Sequence, residues 1–171
     1  SYATDPRLVQ MASAYLKRPA RAAFTLGASL QAVEGNPGSG GGWHRDSLTP
    51  QFKTMLYLSN VGLNNGPFQI LARSHHLMQS IRDNRAAHLP YGQVRFTQKQ
   101  VDEVLENSHR DRLHTLQYPA GTLLVFDSST IHRGSPIQNG TRLALTNYFY
   151  PESQIDSDLY RHFQPVAGHR Q

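Results

Sequence analysis

Short strand-like segments separated by strong turns are the feature that most constrains the fold of this chain. Turn residues cluster at Asn64-Asn65-Gly66-Pro67, at Pro119-Ala120-Gly121 and at Asn139-Gly140, a pair typical of a hairpin. The apolar and β-branched runs around these turns predict strands at residues 23–34, 52–61, 68–71, 113–118, 122–126, near 131 and at 141–150. Many short strands of this kind predict an all-β core with flanking helices, arranged as a small barrel or a double-sheet jelly roll.

Two helices are predicted beside these strands. Residues 4–17 carry apolar side chains at helical spacing, and Asp5-Pro6 provides a cap and a first turn. A second helix is predicted at residues 97–107, with Thr97 as its cap.

The length of 171 residues suggests one domain, which we take as residues 1–171. The strand signal fades between residues 72 and 112, and this stretch is polar and basic. We interpret it as an insert between strands rather than as a second domain.

The charge of the chain bears on its partners. The net charge is +5, and 14 of the 17 basic residues are Arg, which suits forked contacts with carboxylates and phosphates. These residues are spread along the chain and form no dense basic block. We therefore expect an anionic small-molecule substrate in preference to nucleic acid.

The sequence bears on cellular location only through the features that it lacks. The absence of cysteine excludes disulfides and thiolate metal sites but leaves the compartment open. No apolar run approaches the ~20 residues of a membrane span, and no secretory segment is visible near Ser1. A first residue other than Met is compatible with a processed or excised chain. We expect a cytoplasmic protein without membrane contact, and the sequence predicts no oligomeric state.

His44, Asp46 and His132 form a candidate metal-binding pattern. His44 and Asp46 are two residues apart, so their side chains project from the same face of an extended segment. Two imidazoles and one carboxylate are the ligand set of non-haem iron(II) oxygenases. Arg142, ten residues beyond His132, could hold the far carboxylate of a 2-oxo acid. The alternative is chance, because nine histidines and twelve acidic residues will often produce one His-x-Asp.

Several stretches together resemble the phytanoyl-CoA dioxygenase-like branch of the Fe(II)/2-oxoglutarate-dependent oxygenases. They are Gly42-Trp43-His44-Arg45-Asp46-Ser47, Lys53-Thr54-Met55-Leu56-Tyr57-Leu58, Asn65-Gly66-Pro67-Phe68-Gln69-Ile70-Leu71, Ser74-His75 and residues 121–148. The resemblance covers roughly residues 30–150. It implies a double-stranded β-helix, or cupin-like jelly roll, that uses iron(II), 2-oxoglutarate and dioxygen. It also implies that His44, Asp46 and His132 hold the iron and that Arg142 holds 2-oxoglutarate.

The chain departs from the family pattern at two places. Ala72-Arg73 stands where the family often has Pro-Gly. Gly134 stands where some members have a hydroxyl residue, two positions after the distal His, that binds the co-substrate. Further co-substrate contacts are therefore sought at Lys53, Tyr57 and Gln31, for each of which an ordinary barrel-lining or solvent-facing role is the alternative.

The turn at Asn139-Gly140 raises a geometric difficulty for the site. A two-residue hairpin there would pair His132 with Asn147 and place Arg142 on the opposite face of the ladder. The metal ligands and Arg142 would then share a pocket only if the register slipped by one residue. Residues 134–136 are a natural place for such a bulge, because Pro136 cannot donate to a ladder.

Three functions follow as hypotheses. The first is an oxygenase that hydroxylates a small molecule and releases succinate and carbon dioxide. The second is a non-catalytic jelly-roll module that binds a metal or ligand, and the third is an oxygenase acting on nucleic acid, against which the scattered Arg residues argue. For the oxygenase we expect the insert to form a lid, in which one or more of Arg73, Arg82, Arg85 and Arg95 meets an anionic substrate group. The alternative for the insert is a solvated surface loop.

Overall fold

The computed structural model describes residues 1–108, 110–156 and 159. Nine strands form two antiparallel sheets that face each other. The strands are β1 (Ala20–Gln31), β2 (Trp43–His44), β3 (Phe52–Tyr57), β4 (Phe68–Leu71), β5 (Arg95–Phe96), β6 (Leu113–Leu116), β7 (Leu123–Asp127), β8 (His132–Gly134) and β9 (Thr141–Pro151). The predicted all-β core with flanking helices, arranged as a two-sheet jelly roll, is confirmed.

The strand order determines which residues face one another across the barrel. One sheet has the order β1-β9-β3-β7, and the other has the order β5-β2-β8-β4-β6. Alternate residues of each strand point into the space between the sheets. On β9, Arg142, Ala144, Thr146 and Tyr148 take this inner side, whereas His44 and His132 take the inner side of the second sheet.

The first helix, α1 (Pro6–Leu16), covers the outer face of the four-stranded sheet. The Asp5 side chain accepts a hydrogen bond from the Arg7 backbone N–H, which confirms the predicted cap. Leu8 and Ala12 of α1 are buried against Phe52 and Phe149, so the helix covers the part of this face around those two side chains.

The insert closes the outer face of the five-stranded sheet. It contains α2 (Leu77–Ala86), which the sequence did not predict, β5, and the predicted second helix, α3 (Gln98–Glu106), which Thr97 caps with a capping box. Buried side chains of the insert pack on Trp43, Leu71 and Ile131; they are Ala87, Leu89, Phe96, Val101, Val104 and Leu105.

This packing contradicts the prediction that the insert forms a lid over the metal site. Trp43 and Ile131 directly precede His44 and His132, and neighbouring residues of a strand point to opposite faces. The insert therefore lies behind the sheet, not over the inner pocket. Of the four candidate arginines, Arg95 contacts a residue that lines the pocket, because its Nη1 donates to the carbonyl oxygen of Gly40 at 2.7 Å.

The predicted hairpin at Asn139-Gly140 is wrong. β8 pairs with β2 and β4, whereas β9 pairs with β1 and β3, so no ladder joins β8 to β9. Gly140 does have a positive φ of 70°, but the turn carries the chain from one sheet to the other. His132 and Arg142 thus face each other across the barrel, and no register slip is needed to bring them together.

No helix among the described residues is long and apolar enough to cross a membrane.

Candidate metal centre

The two histidines are brought together by direct strand pairing. His44 on β2 and His132 on β8 are register partners in the antiparallel ladder, and their ring centroids lie 4.4 Å apart. Asp46 follows β2 by two residues, and its backbone N–H donates to the carbonyl oxygen of Ser128 at 2.9 Å. The three candidate ligand atoms all lie within 4.8 Å of one another.

Backbone carbonyls set the orientation of both imidazoles. His44 Nδ1 lies 2.9 Å from the carbonyl oxygen of Gly42, and His132 Nδ1 lies 2.7 Å from that of Thr130. A carbonyl oxygen can only accept, so each Nδ1 carries the proton and donates. Each Nε2 faces Asp46 and, in a neutral imidazole that carries its proton on Nδ1, Nε2 is the nitrogen that can bind a metal.

The spacing of these atoms fits one metal ion. Asp46 Oδ1 lies 3.6 Å from His44 Nε2, and Asp46 Oδ2 lies 3.7 Å from His132 Nε2. Two atoms that each bind a first-row metal at about 2.1 Å lie no more than about 4.2 Å apart. Both separations are below that limit, so one ion can lie between the carboxylate and either imidazole.

The protonation states also suit a metal. His132 is only 5% exposed, and burial together with the neighbouring His44 lowers its pKa to about 4, so it is neutral near pH 7. Burial alone would raise the pKa of Asp46, but the positive charge of Lys53 and its hydrogen bond to the carboxylate outweigh burial and lower it. The site therefore presents a neutral His132 imidazole and an ionised Asp46 carboxylate.

Lys53 lies beside the candidate ligands. Its Nζ donates to Asp46 Oδ2 at 2.6 Å and lies 3.8 Å from the ring centroid of Tyr148. Burial lowers the pKa of Lys53, and the pairing with Asp46 opposes this shift. The structure thus places this predicted residue in the pocket, where it contacts a candidate metal ligand.

Arg142 lies in the same pocket, with only 2% of the residue exposed. Its Nη2 donates to Ser39 Oγ at 2.6 Å, and its Nη1 donates to the carbonyl oxygen of Gly66. Among the described residues, its Nε has no hydrogen-bond partner and none of its bonds reaches a carboxylate. A buried guanidinium without a carboxylate partner is a candidate site for an anion.

These groups line a cavity of about 200 Å³ between the two sheets. Its walls combine the polar groups with apolar side chains from both sheets, including Leu26, Met55, Phe68 and Phe126. The volume is below the ~300–1,000 Å³ of pockets for drug-sized ligands and is suited to a small anionic molecule.

Two predicted contacts are not brought into this cavity. Tyr57 is fully buried in the core below it, where its hydroxyl donates to the Leu116 carbonyl and accepts from the Phe68 N–H. Gln31 is exposed on the side of β1 opposite the lining residues Ala28 and Leu30. Contrary to the expectation from the sequence, neither residue therefore lines the cavity. Alternation along a strand predicts which face a side chain takes, but it does not predict how far along the strand the cavity extends.

Ser39 is a pocket residue that the sequence analysis missed. It belongs to the glycine-rich loop of residues 36–42, which directly precedes Trp43 and His44. The available signal was that Ser39 is the single hydroxyl residue in that loop.

Comparison with known proteins identifies the family. The profile of the phytanoyl-CoA dioxygenase family matches residues 2–143. The chain belongs to the phytanoyl-CoA dioxygenase family. The resemblance inferred from the sequence is thus confirmed, and the predicted enzyme class and the cofactors iron(II), 2-oxoglutarate and dioxygen are those of this family.

One curated relative adds to this assignment. A PKHD-type hydroxylase of Acinetobacter baylyi is 25% identical over an alignment of 150 residues, which covers 70% of this chain and 64% of that protein. The chain therefore spans less than two thirds of the length of that relative.

Solved structures share the fold. HygX from Streptomyces hygroscopicus, with nickel and 2-oxoglutarate bound, has a TM-score of 0.54 and 19% identity, covering 88% of this chain and 64% of HygX. EctD from S. alaskensis, with 2-oxoglutarate and 5-hydroxyectoine, has a TM-score of 0.58 and 19% identity, covering 89% of this chain and 51% of EctD. At these identities the likeness establishes the shared jelly-roll fold.

Proposed function

We propose that this protein is an Fe(II)- and 2-oxoglutarate-dependent dioxygenase that hydroxylates a small molecule and releases succinate and carbon dioxide. In this proposal His44, Asp46 and His132 hold the iron, and Arg142 binds the far carboxylate of 2-oxoglutarate. One observation carries it: a single cavity is lined by the three candidate ligands and by a buried guanidinium whose Nε has no partner in the described part of the chain.

The residues of the chain position and protect the reactants. When bound, iron and 2-oxoglutarate supply the oxidative chemistry that activates dioxygen, and the protein supplies orientation. The carbonyl oxygens of Gly42 and Thr130 hold the two imidazoles in the ligand tautomer. Arg142 offers a directional, charge-assisted contact to a carboxylate, and Phe68 and Phe126 keep water from the cavity wall.

A small-molecule substrate is supported by the size of the cavity and by related structures. HygX has been solved with hygromycin B bound, and EctD with 5-hydroxyectoine. The net charge of +5 favours a substrate with an anionic group.

We further propose that residues 72–112 are a structural insert within a single domain of residues 1–171. The buried side chains of this segment pack on Trp43, Leu71 and Ile131, on the sheet that carries His44 and His132. The insert thus supports the metal centre from behind.

The test is succinate formation. The protein is incubated aerobically with iron(II) and carbon-labelled 2-oxoglutarate, with and without a panel of small-molecule candidates, and labelled succinate is measured. We expect metal-dependent succinate that increases with a productive substrate. A protein that binds metal and 2-oxoglutarate but forms no succinate under any condition would instead be a binding module.

A further inference from the structure

Arg142 has a hydroxyl partner inside the cavity. Ser39 Oγ accepts a hydrogen bond from Arg142 Nη2 at 2.6 Å, and no described residue accepts the hydroxyl hydrogen of Ser39. The hydroxyl can therefore donate to an anion bound at Arg142, since an ionised carboxylate is an acceptor only.

We propose that Ser39 binds the far carboxylate of 2-oxoglutarate together with Arg142, and that it does so in the space that a side chain at position 134 would otherwise occupy. This inference rests on the proposed function and names a further binding residue for it.

The space at position 134 is filled by Ser39. A Cβ built on Gly134 would lie 1.9 Å from Ser39 Oγ and 2.8 Å from both Nη atoms of Arg142. A hydroxyl side chain at 134 and the present position of Ser39 therefore exclude each other. Gly134 is the position where the chain departs from family members that carry a hydroxyl residue, and the loop supplies a hydroxyl at the same place in space.

The loop that carries Ser39 is fixed to β8 by close backbone contact. Gly134 N–H donates to the Ser39 carbonyl oxygen at 3.2 Å, and Gly38 N–H donates to Asn36 Oδ1 at 2.8 Å. Gly38 has a φ of 99°, and a Cβ there would lie 1.9 Å from the Gly134 carbonyl oxygen. Only glycine at 38 permits this approach, so the Ser39 hydroxyl is held in place before any ligand arrives.

The position of Ser39 predicts a selective effect on ligand binding. 2-Oxobutyrate has the same metal-chelating 2-oxo carboxylate as 2-oxoglutarate but lacks the far carboxylate. Removal of the Ser39 hydroxyl should weaken only the ligand that reaches Arg142.

The experiment measures binding of both acids to the manganese(II)-loaded protein by titration calorimetry, which requires no turnover. For Ser39→Ala we expect the Kd of 2-oxoglutarate to rise about tenfold, the effect of losing one charge-assisted hydrogen bond. The Kd values of 2-oxobutyrate and of manganese should stay within about twofold. Ser39→Thr keeps the hydroxyl and should retain 2-oxoglutarate affinity within about threefold. Ser29→Ala, an exposed serine of β1 outside the cavity, is the matched control.

Three results would count against Ser39. Unchanged binding of both acids in Ser39→Ala would overturn its role, as would equal weakening of both acids, which indicates a disturbed loop. An effect of Ser39→Thr as large as that of Ser39→Ala would also overturn it. Failure of the unmodified, metal-loaded protein to bind 2-oxoglutarate is a different outcome, because it rejects the proposed function itself.

Discussion

Lys53 Nζ lies 2.6 Å from Asp46 Oδ2, so a buried ammonium group contacts the one carboxylate of the candidate metal centre. Lys53 is 4% exposed, whereas the Asp46 side chain is 26% exposed at the cavity. In the metal-free protein Lys53 provides the positive charge beside Asp46. A bound metal ion would provide a second positive charge at the same carboxylate.

This arrangement predicts opposite effects of Lys53→Met on stability and on metal affinity. Without metal, Asp46 loses its partner, and we expect a loss of about 1–3 kcal/mol in the free energy of unfolding, between the values for buried and exposed pairs. Metal should bind more tightly, because a neighbouring positive charge is gone. Urea unfolding with and without manganese(II) measures both effects, and Lys99→Met on exposed α3 is the control. If metal binds more weakly and the stability of the metal-free protein is unchanged, the prediction is wrong. Lys53 would then serve to orient the Asp46 carboxylate for metal binding.

The metal ligands are tested by His132→Ala. The variant removes one of three candidate ligands from a cavity wall, so we expect loss of stoichiometric iron while most of the fold remains. Metal analysis of the purified protein and circular dichroism measure the two quantities. His114→Ala is the control, because His114 is an exposed histidine of β6 outside the cavity. Full iron content in His132→Ala would refute the assignment of this ligand.

Arg142 should act on the co-substrate and not on the metal. Truncating one partner of a buried charge pair costs on the order of 2–5 kcal/mol. Arg142→Ala should therefore raise the 2-oxoglutarate concentration needed for half-maximal succinate formation by at least about thirtyfold, with the iron requirement nearly unchanged. Similar increases in both requirements would contradict the role.

The buried pair of Asp83 and Arg112 is expected to stabilise the insert. The two side chains form a bidentate pair, with both N–O distances at 2.8 Å, and Asp83 is 1% exposed. Asp83→Ala leaves Arg112 buried without its partner and should reduce the free energy of unfolding by about 3–5 kcal/mol. Chemical denaturation measures this change.

An exposed pair on α3 is the matched control for that substitution. Lys99 and Glu103 lie 3.8 Å apart on the helix surface, and Lys99→Ala should change stability by less than about 0.5 kcal/mol. Equal effects of Asp83→Ala and Lys99→Ala would show that the buried pair has no special contribution.

The parts predicted correctly from the sequence are those with local causes. The strand at 68–71 lies directly after a strong turn, and the helix near 98–106 has a capping box at Thr97, so both were placed well. His44 and Asp46 share one short segment, and their common orientation follows from strand geometry alone.

The errors arose where distant contacts decide the structure. Asn139-Gly140 has a turn conformation, but the Asn65 side chain donates to the Asn139 carbonyl oxygen, and Ile137 pairs with Asn65, so the chain crosses between sheets. Helix α2 was missed because its apolar residues do not form the buried stripe by which a helix is recognised in a sequence. Leu77, Met78 and Ile81 are all exposed. The proximity of Ser39 to Arg142 likewise depends on contact between Gly38 and Gly134, which are far apart in sequence.

The most direct test of the account is a crystal structure of the protein prepared without oxygen, with iron(II) and 2-oxoglutarate, and with anomalous diffraction measured at the iron absorption edge. We predict one iron peak within bonding distance of His44 Nε2, His132 Nε2 and the Asp46 carboxylate. The far carboxylate of 2-oxoglutarate should contact Arg142 and Ser39. Iron bound elsewhere, or a co-substrate whose far carboxylate lies away from Arg142, would contradict the proposed centre.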